Sequence, residues 1–442
     1  MVPRGLLCIL SEFRSRPKLY PRAPTIGCPR NEMAEKMKIL LVHNTYQQPG
    51  GEDVVFEQER RLLQQHGHHV ETYLRSNREI EQFSMFKRAG LLGSIISAED
   101  SKREIQKILA TFQPDLVHAH NTFMMISPSV YEACGEAQIP VLQTLQNYRL
   151  LCPAALLFRD GHVCEECTTQ GLLRSIWHGC YRDSRLETAA VAVMLQTHRH
   201  RRTWTDAVSG YVVATEFGRQ KFIEGGLPAE KMYVKPNFVE PDPGERTTPG
   251  DYALFVGRLS PEKGLSALLA AWSQIGPAIP LVLAGDGPLR ASLESEVSKN
   301  NIRNVTFRGR LDSNQTRAAM KQARFLVLPS LWYEGFPMVM AESLACGTPV
   351  IGSRLGAMQE VITDGRTGLH FTAGDAKDLA EKVEWAWSHP SQLITMGHEA
   401  RRDYEALYTP EVNYSLLMSI YEQTVRLQSE AVEQRSETIH VA

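Results

Sequence analysis

The feature that most constrains the fold is a pattern of short apolar strands that alternate with helical stretches and occur in two series. The first series lies at 38–43, 116–120, 141–145, 211–215 and 232–235. The second series lies at 252–256, 281–284, 305–307, 325–328 and 350–351. Continuous apolar strands separated by helices are typical of parallel sheets covered on both faces. The sequence therefore predicts an α/β protein with two Rossmann-like, doubly wound domains.

The length of 442 residues and the distribution of turn residues predict the domain organisation. A chain of this length exceeds what one compact core usually holds. Residues 1–36 carry scattered proline and arginine without a sustained period, which predicts a disordered extension with Met37 as the functional start. Clustered proline and glycine break both periodicities near residue 245. We therefore predict a first domain at 37–240 with an irregular insertion at 150–182, a linker at 241–250, a second domain at 251–408, and a closing helix with a tail at 409–442.

Composition limits which classes of partner the protein can bind and which cellular compartment we expect for it. The 48 Lys and Arg residues balance 50 Asp and Glu residues, so the chain lacks the basic field that drives nucleic-acid binding. No stretch approaches the roughly 20 apolar residues that cross a bilayer. The 8 cysteines are few and are not spread as a disulfide framework, which is typical of a reducing compartment. The sequence predicts a cytoplasmic protein that does not bind nucleic acid.

Two features of the first domain point to a ligand at the carboxyl ends of its strands. Gly50 and Gly51 follow the first strand and precede a helix, where backbone amides can approach a phosphate. A plain strand-to-helix turn is the alternative. His118 and His120 end a later strand on one face, which aims one of them at the same cleft, and the alternative is a buried structural histidine.

The second domain carries two cations where its first strand ends. The chain has no Gly-x-Gly-x-x-Gly after a strand and no Gly-x-x-x-x-Gly-Lys-Ser/Thr. It therefore lacks the phosphate-binding loop that a nicotinamide dehydrogenase or a P-loop ATPase would carry. Arg258 and Lys263 precede Gly264 and together could neutralise a leaving diphosphate. Solvated surface cations are the alternative.

The most specific signal is a pair of carboxylates, Glu334 and Glu342, eight residues apart across a loop and the start of a helix. Pro337 suits the first turn of that helix and Gly347 suits its end. At 1.5 Å per residue the two carboxylates lie up to about 12 Å apart, enough for one to hold a sugar and the other a ribose. A surface helix with chance acids is the alternative.

Taken together, these motifs resemble glycosyltransferase family 4 from about Met37 to the C-terminus. The resemblance rests on the Gly-Gly-Glu loop, His120, Gly257 to Gly264, Gly285-Asp-Gly287 and the Glu334/Glu342 pair. It implies a GT-B architecture, in which two Rossmann-like domains face a central cleft. It also implies retention of anomeric configuration, no required catalytic metal, and a nucleoside diphosphate sugar held mainly by the second domain.

The resemblance also implies roles for individual residues. Arg258 and Lys263 would bind the diphosphate, Glu342 the ribose, and Glu334 the donor sugar. The implied catalytic residues are His120, Arg258, Lys263 and Glu334. The implied donor-binding residues are Gly50, Gly51, Arg258, Lys263, Gly287, Glu334, Gly335, Phe336, Met338, Val339 and Glu342. Gln146 stands where related sequences often carry histidine in a Thr-Leu-His-Asn-Tyr-Arg segment, which puts an acceptor-side role of that histidine in doubt.

The resulting prediction is a metal-independent retaining glycosyltransferase that uses a UDP- or GDP-sugar. Its acceptor would be a glycan or a lipid-linked molecule in surface polysaccharide or glycolipid biosynthesis. Two alternatives share the architecture. One is a non-catalytic nucleotide-sugar-binding protein, which Gln146 favours, and the other is a GT-B sugar-nucleotide epimerase.

Two further segments suggest partners. Cys152, Cys164, Cys167 and Cys180 lie in the insertion, and the two-residue gap in Cys164-Glu-Glu-Cys167 is typical of a structural Zn²⁺ site. Four reduced cysteines in a loop are the alternative. The basic segment 198–202 and the apolar stretch 83–96 suggest peripheral contact with an anionic membrane at its inner face, and a solvated charged face is the alternative.

Overall fold

The computed structural model of the protein describes residues 36–47, 50–82 and 93–441. The predicted disordered extension, apart from Lys36, and most of the apolar stretch at 83–96 lie outside the described residues. Among the described residues, no helix combines the length and apolar character needed to span a bilayer.

The first half of the chain forms a six-stranded sheet and a small hairpin. Its strands are β1 Lys38–Thr45, β2 His69–Ser76, β3 Leu116–Asn121, β4 Val141–Leu145, β5 Phe158–Arg159, β6 His162–Val163, β7 Gly210–Val213 and β8 Met232–Val234. The sheet order is β2-β1-β3-β4-β7-β8, while β5 and β6 pair with each other. All pairs within the large sheet are parallel, and β3, β4 and β7 are buried along their whole length. We call the part of the chain built on this sheet the first domain.

Helices cover both faces of this sheet. They are α1 Gly51–Gln65, α2 Glu99–Phe112, α3 Ser129–Glu136, α4 Glu166–Thr169, α5 Leu173–His178, α6 Arg185–His200 and α7 Glu216–Glu224. Hydroxyl caps fix two of the starts, since Ser184 accepts from the Glu187 amide and Thr215 accepts from the Gly218 amide. The helix α7 therefore begins directly after β7, at the carboxyl end of the sheet.

The second half repeats this architecture, and we call it the second domain. Its strands are β9 Ala253–Val256, β10 Leu281–Ala284, β11 Val305–Gly309, β12 Phe325–Leu328, β13 Val350–Ser353 and β14 Gly368–Phe371. The sheet order is β11-β10-β9-β12-β13-β14, which is the doubly wound order of dinucleotide-binding folds. The predicted α/β class with two doubly wound domains is confirmed, whereas the exact domain boundaries stay predictions.

The second domain and the C-terminus contribute eight further helices. They are α8 Leu265–Ile275, α9 Arg290–Lys299, α10 Ser313–Gln322, α11 Met338–Ala345, α12 Gly356–Val361, α13 Ala376–Ser388, α14 Pro390–Leu407 and α15 Pro410–Val441. The last of these, α15, returns to the first domain. Its buried Leu417 and Tyr421 pack in one cluster with Ile39 and Leu116 of the first sheet. The chain therefore crosses between the domains twice.

Candidate functional site

The loops after β4 and β12 meet between the two domains. A Cβ added at Gly335 would lie only 2.8 Å from the carbonyl oxygen of Gln146, so the two backbones approach closely there. Both loops follow the carboxyl ends of parallel strands, which is where ligands bind in open α/β sheets. The candidate site is therefore the cleft at this contact.

The loop after β9 is shaped by glycine so that its cations reach the cleft. Gly264 has φ of 68°, and a Cβ added there would lie 1.8 Å from the carbonyl oxygen of Pro329. The amide of Leu331 also donates to the carbonyl of Glu262 at 2.8 Å. These contacts place Lys263 beside the loop that follows β12.

Lys263 and Glu334 form an ion pair in the cleft. The Lys263 ammonium lies 2.7 Å from Glu334 Oε1, and the hydroxyl of Ser330 donates to the same oxygen at 2.7 Å. Glu334 is buried, with 6% of its surface exposed. Arg258 is exposed and forms no ion pair with a described residue, so its guanidinium is available to a ligand.

The Gly285-Asp-Gly287 turn packs against the loop after β9, which carries Arg258 and Lys263 and which we call the cation loop. Cβ atoms added at Gly285 and Gly287 would lie 1.8 Å from the Gly257 carbonyl oxygen and 2.5 Å from the Leu259 carbonyl oxygen. The Leu259 amide donates to the carbonyl of Asp286 at 3.0 Å. The backbone of the loop that carries Arg258 is therefore held against this turn.

Glu342 lies on α11, which starts after Pro337 and ends ahead of Gly347. Burial raises the pKa of the Glu342 carboxyl above its usual value, and the charge of Arg317 opposes that shift. The predicted donor residues Phe336, Met338 and Val339 are half-buried against the core of the second domain. Glu334 and Glu342 thus sit at opposite ends of one loop-helix segment, as predicted from the sequence.

The glycine loop of the first domain is open, but an acid occupies the start of its helix. Among the described residues beyond the adjoining chain, no heavy atom lies within 4 Å of a Cβ added at Gly50 or Gly51. Asp53 accepts from the Gly50 amide at 2.7 Å and lies 2.9 Å from His43 Nε2. Sequence reasoning did not identify this Asp53 contact.

A second unpredicted contact ties the glycine loop to the loop after β4. The side-chain amide of Asn147 donates to Glu52 Oε1 at 2.8 Å. Burial raises the pKa of the Glu52 carboxyl, and the hydrogen bond from Asn147 acts against that shift. The two loops that border the cleft in the first domain therefore hold each other.

His118 and His120 share a face, as alternation predicts, but both are buried. His118 hydrogen-bonds to Tyr421 at 2.8 Å and to Thr144 at 2.7 Å. His120 Nε2 lies 3.4 Å from Glu59, and only 1% of the His120 side chain is exposed. His120 nevertheless lines a cavity with Gln146 and Asn147 of the loop after β4, whereas His118 does not line it. Whether His120 contacts a ligand in the cleft stays a prediction.

A buried ion pair beside these histidines also escaped sequence analysis. Lys235 Nζ lies 2.6 Å from Glu59 Oε1, and both side chains are 1% exposed. Glu59, His118 and His120 are the only described residues whose three candidate ligand atoms lie within 4.8 Å of one another. Because the Lys235 ammonium already neutralises Glu59, we interpret this cluster as an ion pair and not as a metal site.

The domains are joined by a carboxylate that caps a helix across the cleft. Glu360 of the second domain accepts from the amides of Glu216 and Phe217 at 2.9 and 2.8 Å. Tyr333 packs beside this contact, with its ring centroid 4.7 Å from that of Phe217. The amide pair is the N-terminus of α7, where a negative charge is favourable.

The four predicted metal ligands lie together. Cys152, Cys164, Cys167 and Cys180 line one small cavity in the insertion. A hydrogen bond from the Cys167 thiol, with backbone amides of Leu157 and Ala154, lowers the pKa of the Cys152 thiol. The pKa of Cys180 is raised to about 11, chiefly by burial.

The basic segment at 198–202 is exposed only in part: Arg201 and Arg202 keep 54% and 71% of their side chains exposed, and its membrane contact stays a prediction. His198 is fully buried and hydrogen-bonds to Thr203 at 2.9 Å. Arg199 donates to the carbonyl of Leu150, and Arg202 pairs with Asp206 at 2.9 Å. Most of its polar groups are therefore used within the protein.

One known family matches the second domain. Residues 240–403 match the family described as glycosyl transferases group 1. The matched range contains the cation loop, the Glu334/Glu342 segment and Glu360.

Two curated relatives and one solved structure add detail. A D-rhamnosyltransferase of Pseudomonas aeruginosa is 35% identical over 36% of this chain and 42% of its own length. A phosphatidyl-myo-inositol mannosyltransferase of Mycobacterium leprae is 29% identical over 50% of this chain and 61% of its own length. The matched stretches thus span less than two thirds of these relatives. The Anabaena protein HepE, solved in complex with UDP, has a TM-score of 0.61 at 20% identity, covering 89% of this chain and all of that one. The fold is therefore the two-domain GT-B fold.

Proposed function

We propose that the chain is a retaining glycosyltransferase of family 4, which moves a sugar from a nucleoside diphosphate sugar to a glycan or lipid-linked acceptor. The observation that carries the proposal is the Lys263–Glu334 ion pair of 2.7 Å beside the exposed Arg258, inside the range that matches glycosyl transferases group 1. Two cations and a buried carboxylate at one edge of a doubly wound sheet suit a donor whose phosphates and sugar both need polar contacts.

In this proposal the second domain stabilises the departing diphosphate. Negative charge develops on the phosphate oxygens as the glycosidic bond breaks, and fixed cations nearby lower the energy of that state. Arg258 and Lys263 supply those charges, so the proposed reaction requires no catalytic metal. Glu334 would accept hydrogen bonds from sugar hydroxyls, and Glu342 would accept them from the ribose.

Backbone amides complete the proposed donor site. The free amides at the start of α11, at Met338 and Val339, with Phe336 before them, would face the phosphates. Gly50 and Gly51 would border the phosphates from the first domain, because no atom of the described residues beyond the adjoining chain approaches a Cβ added at either glycine. His120 enters the proposal with one condition: donor binding must uncover its imidazole, which is buried here.

The proposed donor is a UDP- or GDP-sugar, and the proposed pathway is surface polysaccharide or glycolipid synthesis. HepE was solved with UDP. One matched relative is named as a rhamnosyltransferase and another as a phosphatidyl-myo-inositol mannosyltransferase. These names support a transfer onto a glycan or a lipid-linked acceptor.

An exposed apolar surface at the end of the insertion and the start of α6 supports a membrane-borne acceptor. Leu173, Trp177 and Leu186 are 80%, 71% and 71% exposed on the neighbouring helices α5 and α6. The guanidinium of Arg185 lies 5.6 Å from the Trp177 ring, and Arg174 is exposed on the same helix as Trp177. Tryptophan with flanking arginine suits the headgroup region of an anionic bilayer. We propose that this surface, rather than 198–202, contacts the membrane at its inner face.

Vesicle sedimentation tests that contact. A double variant, Leu173→Ser with Trp177→Ser, is expected to lose binding to vesicles that contain anionic phosphatidylglycerol. The control is Ile394→Ser, since Ile394 is an exposed apolar residue of the second domain. Equal sedimentation of the native protein and the double variant would count against the membrane contact.

Product analysis separates transfer from the two alternatives. The purified protein is incubated with UDP- and GDP-sugars, with and without a lipid extract, and nucleotide release and the anomeric configuration of the product are followed. A transferase releases nucleotide in step with acceptor glycosylation and retains configuration. An epimerase releases free sugar products without any acceptor, and a binding protein leaves the donor intact, so either result would refute the proposal.

A further inference from the structure

The four cysteines of the insertion have no part in the proposed sugar transfer, yet three separate segments of the insertion bring them together. Cys152 follows a turn in which its amide donates to the carbonyl of Tyr148 at 2.9 Å. Cys164 directly follows the β5–β6 hairpin, and Cys167 lies in α4. Cys180 comes one residue after Gly179, whose positive φ ends α5. The four cysteines thus come together from three separate segments, which a chance cluster within one loop would not produce.

The four residues line one small cavity between the hairpin and α5, where Cys152 and Cys167 are buried and Cys164 and Cys180 are half-buried. All four are free thiols in the structure. Backbone contacts fix the positions of the turns, since the Cys164 amide donates to Leu157 at 2.8 Å and the Cys180 amide donates to Ser175 at 3.1 Å. The cavity is therefore held by the backbone and does not depend on the side chains that fill it.

We propose that Cys152, Cys164, Cys167 and Cys180 bind one structural Zn²⁺ ion as thiolates. Four cysteines with a Cys-x-x-Cys pair form the usual closed, tetrahedral ligand set of structural zinc, and soft thiolates select this metal over magnesium or calcium. The site lies outside the donor cleft and is independent of the proposed transfer.

The surroundings of the cavity offset the charge of such a site. Zinc with four thiolates carries a net charge of −2, which is costly to bury without cationic neighbours. Arg159 and Arg174 both line the cavity. Arg159 also pairs with Glu166 at 2.8 Å, which holds its guanidinium beside the thiols. Glu166 lines the cavity as well, so the charged side chains around the thiols carry a net charge of about +1, which offsets part of the charge of the site.

The sulfur atoms stand further apart than in an occupied zinc centre. The Cys167 thiol hydrogen-bonds to Cys152, but no three of the four sulfur atoms lie within 4.8 Å of one another. Zinc–sulfur bonds are about 2.3 Å, and rotation about the Cα–Cβ bonds moves sulfur atoms inward without moving the backbone. Zinc binding would therefore tighten the site by side-chain rotation.

This centre would hold the cleft loop that precedes it. The residues just before Cys152 include Gln146, which touches Gly335 of the second domain, and Asn147, which binds Glu52. Glu165 lies between two of the cysteines and pairs with Lys221 at 2.9 Å, whose ammonium lies 5.6 Å from the Tyr333 ring of the second domain. Zinc would thus fix the surface on which the second domain closes.

Metal content and thiol reactivity of the full chain test the proposal directly. Elemental analysis of the purified protein is expected to give about one zinc per chain, as a four-cysteine site predicts. A thiol reagent is expected to modify these four cysteines only after a strong chelator has removed the metal. Cobalt substitution is expected to give the absorption bands of a tetrahedral thiolate centre. Protein that lacks stoichiometric zinc, or whose mass spectrum shows a disulfide between these cysteines, would overturn the proposal.

A test variant and a control variant probe the zinc site independently of the metal analysis of the native protein. Cys164→Ser is expected to lower zinc content and to make the insertion sensitive to protease. The control Cys346→Ala alters a buried cysteine of the second domain and is expected to keep its zinc. If Cys164→Ser fails to fold, limited proteolysis of the native protein with and without chelator gives the same information. Identical cleavage patterns in both conditions would contradict a structural role for the metal.

Discussion

The ammonium of Lys263 lies 2.7 Å from the carboxylate of Glu334, although the two residues are 71 positions apart in the chain. Each follows a different strand of the second sheet, and Ser330 binds the same carboxylate oxygen. The ion pair therefore holds a cation and a carboxylate in position at the edge of the cleft before any ligand binds. In the proposed function, the cation turns to the diphosphate when the donor binds.

Replacing Lys263 by methionine removes that cation while it keeps much of the side-chain volume. We expect the rate of nucleotide release from the donor to fall by about 10²- to 10³-fold, the usual loss when one electrostatic contact to the leaving group is deleted. The measurement is a nucleotide-release assay, with Lys377→Met as the matched control because Lys377 is 80% exposed. A Lys263→Met protein that keeps its full rate would rule out this role.

Glu360 is expected to control how closely the domains approach. Its carboxylate accepts two backbone amides of α7, and charged hydrogen bonds contribute about 1.5–3 kcal/mol each. Glu360→Ala should open the cleft and increase the radius of gyration measured by small-angle X-ray scattering. Glu381→Ala, which alters an exposed acid, is the control. Superimposable scattering curves for the native protein and Glu360→Ala would contradict a joining role.

The buried Glu59–Lys235 pair predicts a strong coupling in stability. Lys235→Met leaves the Glu59 charge buried without its partner, which typically costs about 3–5 kcal/mol. The double variant Glu59→Gln with Lys235→Met should recover much of that loss, because it removes both charges. Urea unfolding of the two single variants and the double variant measures the coupling. Additive effects would show that the two groups do not stabilise each other.

Glu342 predicts a pH dependence of stability. Burial raises its pKa in the folded protein, so the folded carboxyl binds its proton more tightly than the unfolded one, whose pKa is 4.5. Its contribution to the free energy of unfolding is therefore largest in acid and falls as pH rises from 4.5 through the folded pKa. Glu342→Gln lacks this titration. Its thermal unfolding midpoint should therefore rise relative to that of the native protein as pH increases over the same interval. Glu381→Gln is the control, and a constant difference for Glu342→Gln would contradict the shift.

The sequence predicts the buried strands better than the edge strands. The bounds of β4, β10 and β12 match the predicted runs. A strand covered on both faces is mostly apolar, and only Gln143 and Thr144 of β4 depart from this in the three strands. The edge strand β2 was missed because its side chains alternate between exposed and half-buried. A second edge strand, β14, was missed because its run is short and contains Gly368 and His370. The remaining two edge strands, β8 and β11, were predicted.

For the site as well, the sequence predicted local features correctly and did not predict contacts between distant parts of the chain. Sequence pattern placed Lys263, Glu334 and Glu342 in the right loop and helix, but it could not show which of them pair, since pairing depends on the tertiary fold. Strand alternation gave the shared face of His118 and His120 without giving its burial. One local signal was available: Glu59 stands among the apolar residues of α1, which suggests a buried charge with a distant partner.

The measurement that tests the account most directly is a thermal-shift panel of UDP, GDP, ADP and their common sugar conjugates on the native protein and on Glu342→Ala. A ligand that binds only the folded state raises the midpoint by mass action. The account predicts that one uridine or guanosine series raises the midpoint of the native protein and that Glu342→Ala loses most of that shift. No shift with any nucleotide, or an equal shift in Glu342→Ala, would contradict the assignment of the donor site to this cleft.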